Sequence, residues 1–172
     1  MKRKGKKSMY NMKRLFYTLL IIGAYLALSS CKESLVYDKY SHTPIAGWEK
    51  NDTLSFEIPP LATSGNYQEM LGLRITGSYP FMGLTLIVEQ TIYPDPTRKS
   101  EKMEKTDTIQ CNLLDQNGAT RGQGISYYQY NFPINIYQMN ENDSIHVTIR
   151  HDMKREILPG ISDIGFKMVK QP

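Results

Sequence analysis

From Asp52 onwards the chain places apolar side chains at every second position, in short runs separated by turn-forming residues. Leu54, Phe56 and Ile58 alternate with Thr53, Ser55 and Glu57, and Pro59-Pro60 closes the run. A strand turns successive side chains to opposite faces, so this spacing predicts strands with one face buried. Proline has no N–H to give a ladder, which makes the pair a natural stop. The pattern returns at Leu71/Leu73/Ile75, Leu84/Leu86/Val88/Ile92, Ile109/Cys111/Leu113, Ile145/Val147/Ile149 and Ile164/Phe166/Met168. Residues 124–132 and 134–139 read as two further strands, the second short, and Asn117-Gly118 suits a hairpin turn.

No stretch downstream of residue 31 holds apolar residues at helical spacing over three turns. About eight short strands without a helix predict an all-β chain, a single antiparallel β-sandwich. The charged, proline-containing stretch 93–106, "YPDPTRKSEKMEKT", reads as an exposed hairpin connection.

The first thirty residues follow another logic. "MKRKGKKSMYNMKR" carries seven basic side chains and no acidic one, and an apolar run extends from Leu15 to Leu28. Small residues Ser29 and Ser30 then lead to Cys31. A basic start, a short apolar stretch and a small-residue exit form a secretory leader. As a helix the apolar run would rise about 21 Å, short of the roughly 30 Å of a bilayer core. Met9 or Met12 would serve as a start as well as Met1, since either keeps the pattern.

Leu28-Ser29-Ser30-Cys31 resembles the bacterial lipobox. That resemblance implies cleavage between Ser30 and Cys31, a diacylglyceryl thioether on Cys31 and an N-acyl chain such as palmitate on its freed amine. The expected organisation is a lipoprotein signal peptide over 1–30, a lipid-anchored tether and lead-in segment over 31–50, and a β-sandwich over 51–172. No other cofactor is expected.

Cleavage also changes the charge. The whole chain has 21 basic and 17 acidic residues; without the leader 14 basic residues remain against the 17. The mature protein is then mildly acidic and lacks the clustered basic surface that nucleic acid requires. With Cys31 lipidated, Cys111 has no partner in the chain and reads as a buried, inert thiol.

Candidate chemistry is sparse. His146 and His151 lie on opposite faces of one expected strand, so they do not converge on a metal. No zinc cluster, phosphate loop, nucleophile elbow or calcium loop occurs, and neither a metal site nor an enzymatic activity is expected. The aromatic candidates are Tyr128, Tyr130 and Phe132, which share a strand face. If Ile125 and Tyr127 line the core, this row faces outward, where it could stack on a glycan or anchor a protein partner. On a central strand the same row would lie under the 93–106 loop.

Several segments together carry a family likeness. "VYDKYSHTPIAGWEKNDTLSFEI", "YPFMGLTLIVEQ", "LLDQNGATRGQG" and "IRHDMKREILPGISDIGFKM", behind a lipobox, resemble the GldH gliding-motility lipoproteins of Bacteroidetes. The likeness implies a lipid-anchored envelope protein needed for gliding, in a system tied to type IX secretion and acting through other envelope proteins. Anchorage in the outer membrane, facing the periplasm, is the expected location. The family offers no catalytic residues; only the lipidated cysteine maps, onto Cys31. Relatives often carry an aromatic after the Asn-Gly turn, where this chain has Ala119-Thr120-Arg121. A surface glycan-binding sandwich is the alternative expectation.

Overall fold

A computed structural model describes residues 34–172. Ser30, Cys31 and the whole leader lie outside the described residues. Ten strands are described: β1 Ser34–His42, β2 Trp48–Glu49, β3 Leu54–Ile58, β4 Gly65–Thr76, β5 Gly83–Tyr93, β6 Met103–Asn112, β7 Tyr127–Met139, β8 Ser144–His151, β9 Ile157–Leu158 and β10 Ile161–Lys170. They form two antiparallel four-stranded sheets, ordered β1-β10-β4-β7 and β3-β8-β5-β6, and a two-stranded β2-β9 ribbon. The antiparallel β-sandwich expected from the alternation is the architecture observed.

The core lies between the sheets, where the alternating residues meet. Leu71 and Leu73 of β4 and Ile164, Phe166 and Met168 of β10 face Leu86, Val88, Val147 and Ile149 of the other sheet, all essentially without solvent contact. Burying each such side chain is worth about 1.5–3 kcal/mol. Alternation is clearest in β8, whose eight residues switch regularly between half-buried and buried.

Two expectations need correction, and a third element was not expected at all. The stretch read as a tether is largely a strand: β1 pairs with β10 from Ser34↔Lys170 to His42↔Asp163. Its register shifts between Leu35 and Tyr37, and this bulge breaks the period of two that would have revealed it. The sandwich therefore begins at residue 34 rather than 51. Secondly, residues 124–132 and 134–139 are not two strands, because β7 runs unbroken through Pro133. β7 is an edge strand, so its outward side can lack an N–H, and the β4–β7 register shifts beside the proline. Thirdly, the ribbon β2-β9, too short to show a period, caps one end of the core with Trp48 and Leu158.

The register defines two ends. The lower end holds Ser34, Lys170, Tyr67 and Tyr137 on one line across the first sheet, with loops 59–64, 94–102 and 140–143. The upper end holds His42, Asp163, Arg74 and Gln129, with loops 43–47, 77–82, 113–126 and 152–156.

Candidate functional site

The segments that suggested a family converge at the upper end. Trp48 is fully buried, donates its indole N–H to the Asp52 carbonyl at 3.1 Å and pairs with Leu158 across the ribbon. Tyr79, at the start of Tyr79-Pro80-Phe81, donates its hydroxyl to the Gly83 carbonyl at 2.9 Å and meets the Phe81 ring edge-on. Gly160, in Leu158-Pro159-Gly160, lies against the Tyr79 backbone with φ of 80°, and a Cβ there would stand 2.5 Å from the Tyr79 nitrogen. Only glycine fits both that conformation and that approach. Above this packed layer Ile45 is fully exposed, and Met82 and Ile157 are about half exposed.

The histidines separate as their alternation predicted. His146 pairs on the surface with Glu57, Nδ1 to Oε1 at 2.6 Å. His151 is sealed beneath the Trp48 ring, 5.3 Å away in an edge-to-face contact. The Met153 N–H donates to its Nδ1, which places its own proton on Nε2, donated to the Trp48 carbonyl at 3.2 Å. Burial lowers the His151 pKa and favours the neutral ring, opposed only in part by the bond to the Trp48 carbonyl. Cys111 is buried beside Leu113, and desolvation pushes its thiol up to about 12. A thiol so rarely ionised is a poor nucleophile.

A buried acid–amide pair lies within the sandwich. Glu69 has no solvent contact and accepts a 2.7 Å bond from the Gln90 amide, while Oε1 of each side chain has no partner. Desolvation, only partly offset by that bond, raises the Glu69 carboxyl to about 7. A protonated Glu69 can donate to the free Gln90 oxygen and complete a two-bond acid–amide pair.

The Tyr128–Tyr130–Phe132 row turns inward, so the premise of an outward-facing aromatic row does not hold. Tyr130 is 6 % exposed, whereas Ile125 and Tyr127 are 92 % and 58 % exposed. The row packs on the inter-sheet core and not under the 94–102 loop, which instead ties Arg98 to Asp143. A strand has two faces and only one row could be buried; the apolar content of the opposite sheet selected the longer aromatic row.

Beside this row, between edge strands β6 and β7, lies an open cleft of about 570 Å³. Gln110 and Asn112 form one wall and Asn131 the other, and the stacked rings of Tyr130 and Phe132 lie between, centroids 5.9 Å apart. Gln129 borders the cleft as well, but its carboxamide is engaged elsewhere, with Tyr40 and Arg74 at 3.4 Å each. Arg121 and Gln123 come from the loop above. That loop is fastened to the floor: the Tyr130 hydroxyl donates to the Leu113 carbonyl at 2.9 Å and lies 2.6 Å from Thr120 Oγ1. The Asp115–Ala119 turn is tight, with Gly118 at φ of 77°, but it closes only the local Leu114↔Thr120 bridge: the strands on either side, β6 and β7, belong to different sheets and form no hairpin. Sequence reasoning missed the cleft, although amides at alternate outward positions of two strands were its available signal.

Among the described residues, no group of three or more His, Cys, Asp or Glu side chains is placed to hold a metal ion. The model of the GldH lipoprotein family matches residues 35–168. The chain belongs to the GldH lipoprotein family. Its relatives include the gliding motility lipoprotein GldH of Flavobacterium johnsoniae, 26% identical, with 87% of this chain and 93% of that protein aligned. A GldH homolog of Christiangramia forsetii is 24% identical over 92% of this chain and 98% of its own length. Among solved structures, a Sulfurospirillum deleyianum protein aligns with 78% of this chain and 98% of its own at a TM-score of 0.45 and 8% identity. Family membership matches the resemblance carried by Tyr37, Trp48, Tyr79-Pro80-Phe81 and the segment 158–165. Three of these four lie in or beside the packed upper end.

Proposed function

We propose that this protein is a lipid-anchored part of the cell envelope that serves gliding motility and its associated type IX secretion by binding other envelope proteins, without catalysis. Cys31 carries the lipid, and the anchor sits in the outer membrane with the domain facing the periplasm. Membership of a lipoprotein family whose named relatives belong to gliding supports the first part.

The observation that carries the contact reading is the upper end, where Ile45 and Met82 project from loops and Ile157 from the ribbon, all held by buried residues. Exposed apolar side chains on a rigid base suit protein contact, because little conformational entropy is lost on binding. Only two residues separate Cys31 from Ser34, a reach of about 10 Å. β1 then carries the chain away over nine residues, about 27 Å. The lower end stays at the lipid and the upper loops stand clear of it. The able side chains are otherwise occupied: His151 in the core, His146 on Glu57, Cys111 under desolvation.

Photo-crosslinkers at positions 45 and 157 of the full-length lipoprotein in whole cells should capture envelope proteins of the gliding apparatus, and one at exposed position 136 should not. Unchanged gliding and secretion after gene deletion would defeat the reading. An unlipidated N-terminus in the purified native protein, by mass spectrometry, would defeat the anchor.

A further inference from the structure

The upper loops do not use the cleft between β6 and β7, and its chemistry differs from theirs. We infer that this cleft binds a saccharide, one or two sugar units set against Phe132 and read by carboxamides from both walls. Each carboxamide offers two donors and an acceptor, which matches hydroxyls that both give and receive hydrogen bonds. Gln110 and Asn112 of β6, Asn131 of β7 and Gln123 of the loop line the cleft around an aromatic floor, while the Gln129 amide is taken by Tyr40 and Arg74. Phe132 is half-buried, so part of its ring reaches the cleft, and aromatic rings pack well on the C–H faces of sugars. The volume of about 570 Å³ lies within the range of small-ligand sites.

Charge narrows the ligand. No carboxylate lines the cleft, and Arg121 is its one charged side chain. The site therefore suits neutral sugar units or units of which one sets a carboxylate on Arg121, and it lacks the paired acids of a glycoside hydrolase. An extended peptide is the competing occupant of an edge. On β7 that edge is already used at Gln129, whose N–H and C=O both bond Gln123 at 2.9 and 3.0 Å. Pro133, four residues on, has no N–H to offer. Side-chain reading is what remains on that wall.

The site is also pre-formed. Gly122 lies on the Tyr130 ring, where a Cβ would come within 2.6 Å, and its N–H donates to Thr120 Oγ1 at 3.1 Å. The loop bearing Arg121 is thus held in place before any ligand arrives.

Calorimetry on the full-length lipoprotein in detergent micelles tests this with cellotetraose, mannotetraose and trigalacturonate as probes. At least one should bind, and Asn112→Ala and Asn131→Ala, both at exposed positions, should each weaken it about tenfold. Phe132→Ala should abolish binding, with melting temperatures of all variants recorded to confirm folding. Selective binding of trigalacturonate, lost in Arg121→Ala, assigns an acidic sugar; equal binding of a neutral probe in that variant assigns a neutral one. No heat from any probe, or binding unaltered in both asparagine variants, overturns the inference. Neither result touches the anchor or the upper-end contacts, which the crosslinking experiment tests separately.

Discussion

The two ends of the sandwich are closed by different chemistry. At the lower end, loops 94–102 and 140–143 are joined by polar contacts: Arg98 with the buried Asp143, and Asn142 with Asp95 at 3.0 Å near solvent; Asp143 also accepts from the Asn140 N–H within its own loop. At the upper end Trp48, Tyr79, Leu158 and His151 hold the loops from within. Exposed polar contacts trade with water at little net gain, whereas buried apolar area and buried hydrogen bonds do not. The exposed Asn142–Asp95 contact of the lower end should accept substitution, whereas the buried Asp143 and the packed upper end should not. The interior differs in the same sense along the axis: neutral His151 lies at the top, and Glu69, between Gln68 and Met70 of β4, lies nearer the bottom.

The largest expected break is Trp48→Ala. It should cost about 3–5 kcal/mol in urea unfolding, because a buried indole is lost and the ribbon has nothing to close upon. A loss under 1 kcal/mol would mean that the cap does not hold the upper end.

Next comes the effect of pH on the lower half. The Glu69 carboxyl titrates near 7 when folded and near 4.5 when unfolded. The folded state thus binds more protons across that window, and stability should be full below pH 4.5 and fall as pH rises to about 7. The loss is on the order of 3 kcal/mol. Glu69→Gln, which stays neutral, should flatten this profile and be the more stable protein at pH 8. A wild-type stability that rises steadily from pH 4.5 to 7 would contradict this placement of the proton.

Gly160→Ala should cost about 2 kcal/mol, since φ of 80° and the Tyr79 backbone both oppose a Cβ. Hydrogen exchange should show faster opening of residues 77–82 than of 94–102. At the lower end, Arg98→Ala should cost about 1–2 kcal/mol, because it leaves the buried Asp143 carboxylate without its charged partner.

The smallest effect sharpens the contrast between the ends. His151 has a pKa below its ordinary value, so the unfolded chain takes up its proton first as pH falls. Its contribution is complete above about pH 6.5 and is lost as pH drops through the lowered folded value. Acid should therefore loosen the upper end while it favours the protonated Glu69 below. The His151 ring signals in NMR should titrate below 6.5; titration above that would overturn the neutral assignment.

Much of the fold was legible because one buried face imposes a period of two. Runs such as Ile145/Val147/Ile149 could hardly be anything else, and the opposed histidines followed from the same period. β1 was hidden because a bulge moved Tyr37 out of step with Leu35, and an edge strand has fewer buried positions to show. The ribbon was hidden because two residues make no period. At the candidate sites, Cys111 was legible as a buried thiol from its apolar neighbours. The aromatic row was not, because either side of β7 carried enough apolar residues to be the inner one. The amides of the cleft come from consecutive strands that lie in different sheets, so no pairing pattern brings them together on paper.

The amino-acid sequence alone determined that this chain makes strands, where most of them run and that they pack as a sandwich, because alternation is a local property. Which face of β7 lies inward, how Trp48, Tyr79 and Gly160 come to share one end, and which amides meet across the cleft were decided by the tertiary structure. Each of these depends on register between distant strands, and register is set by which apolar rows can be buried together.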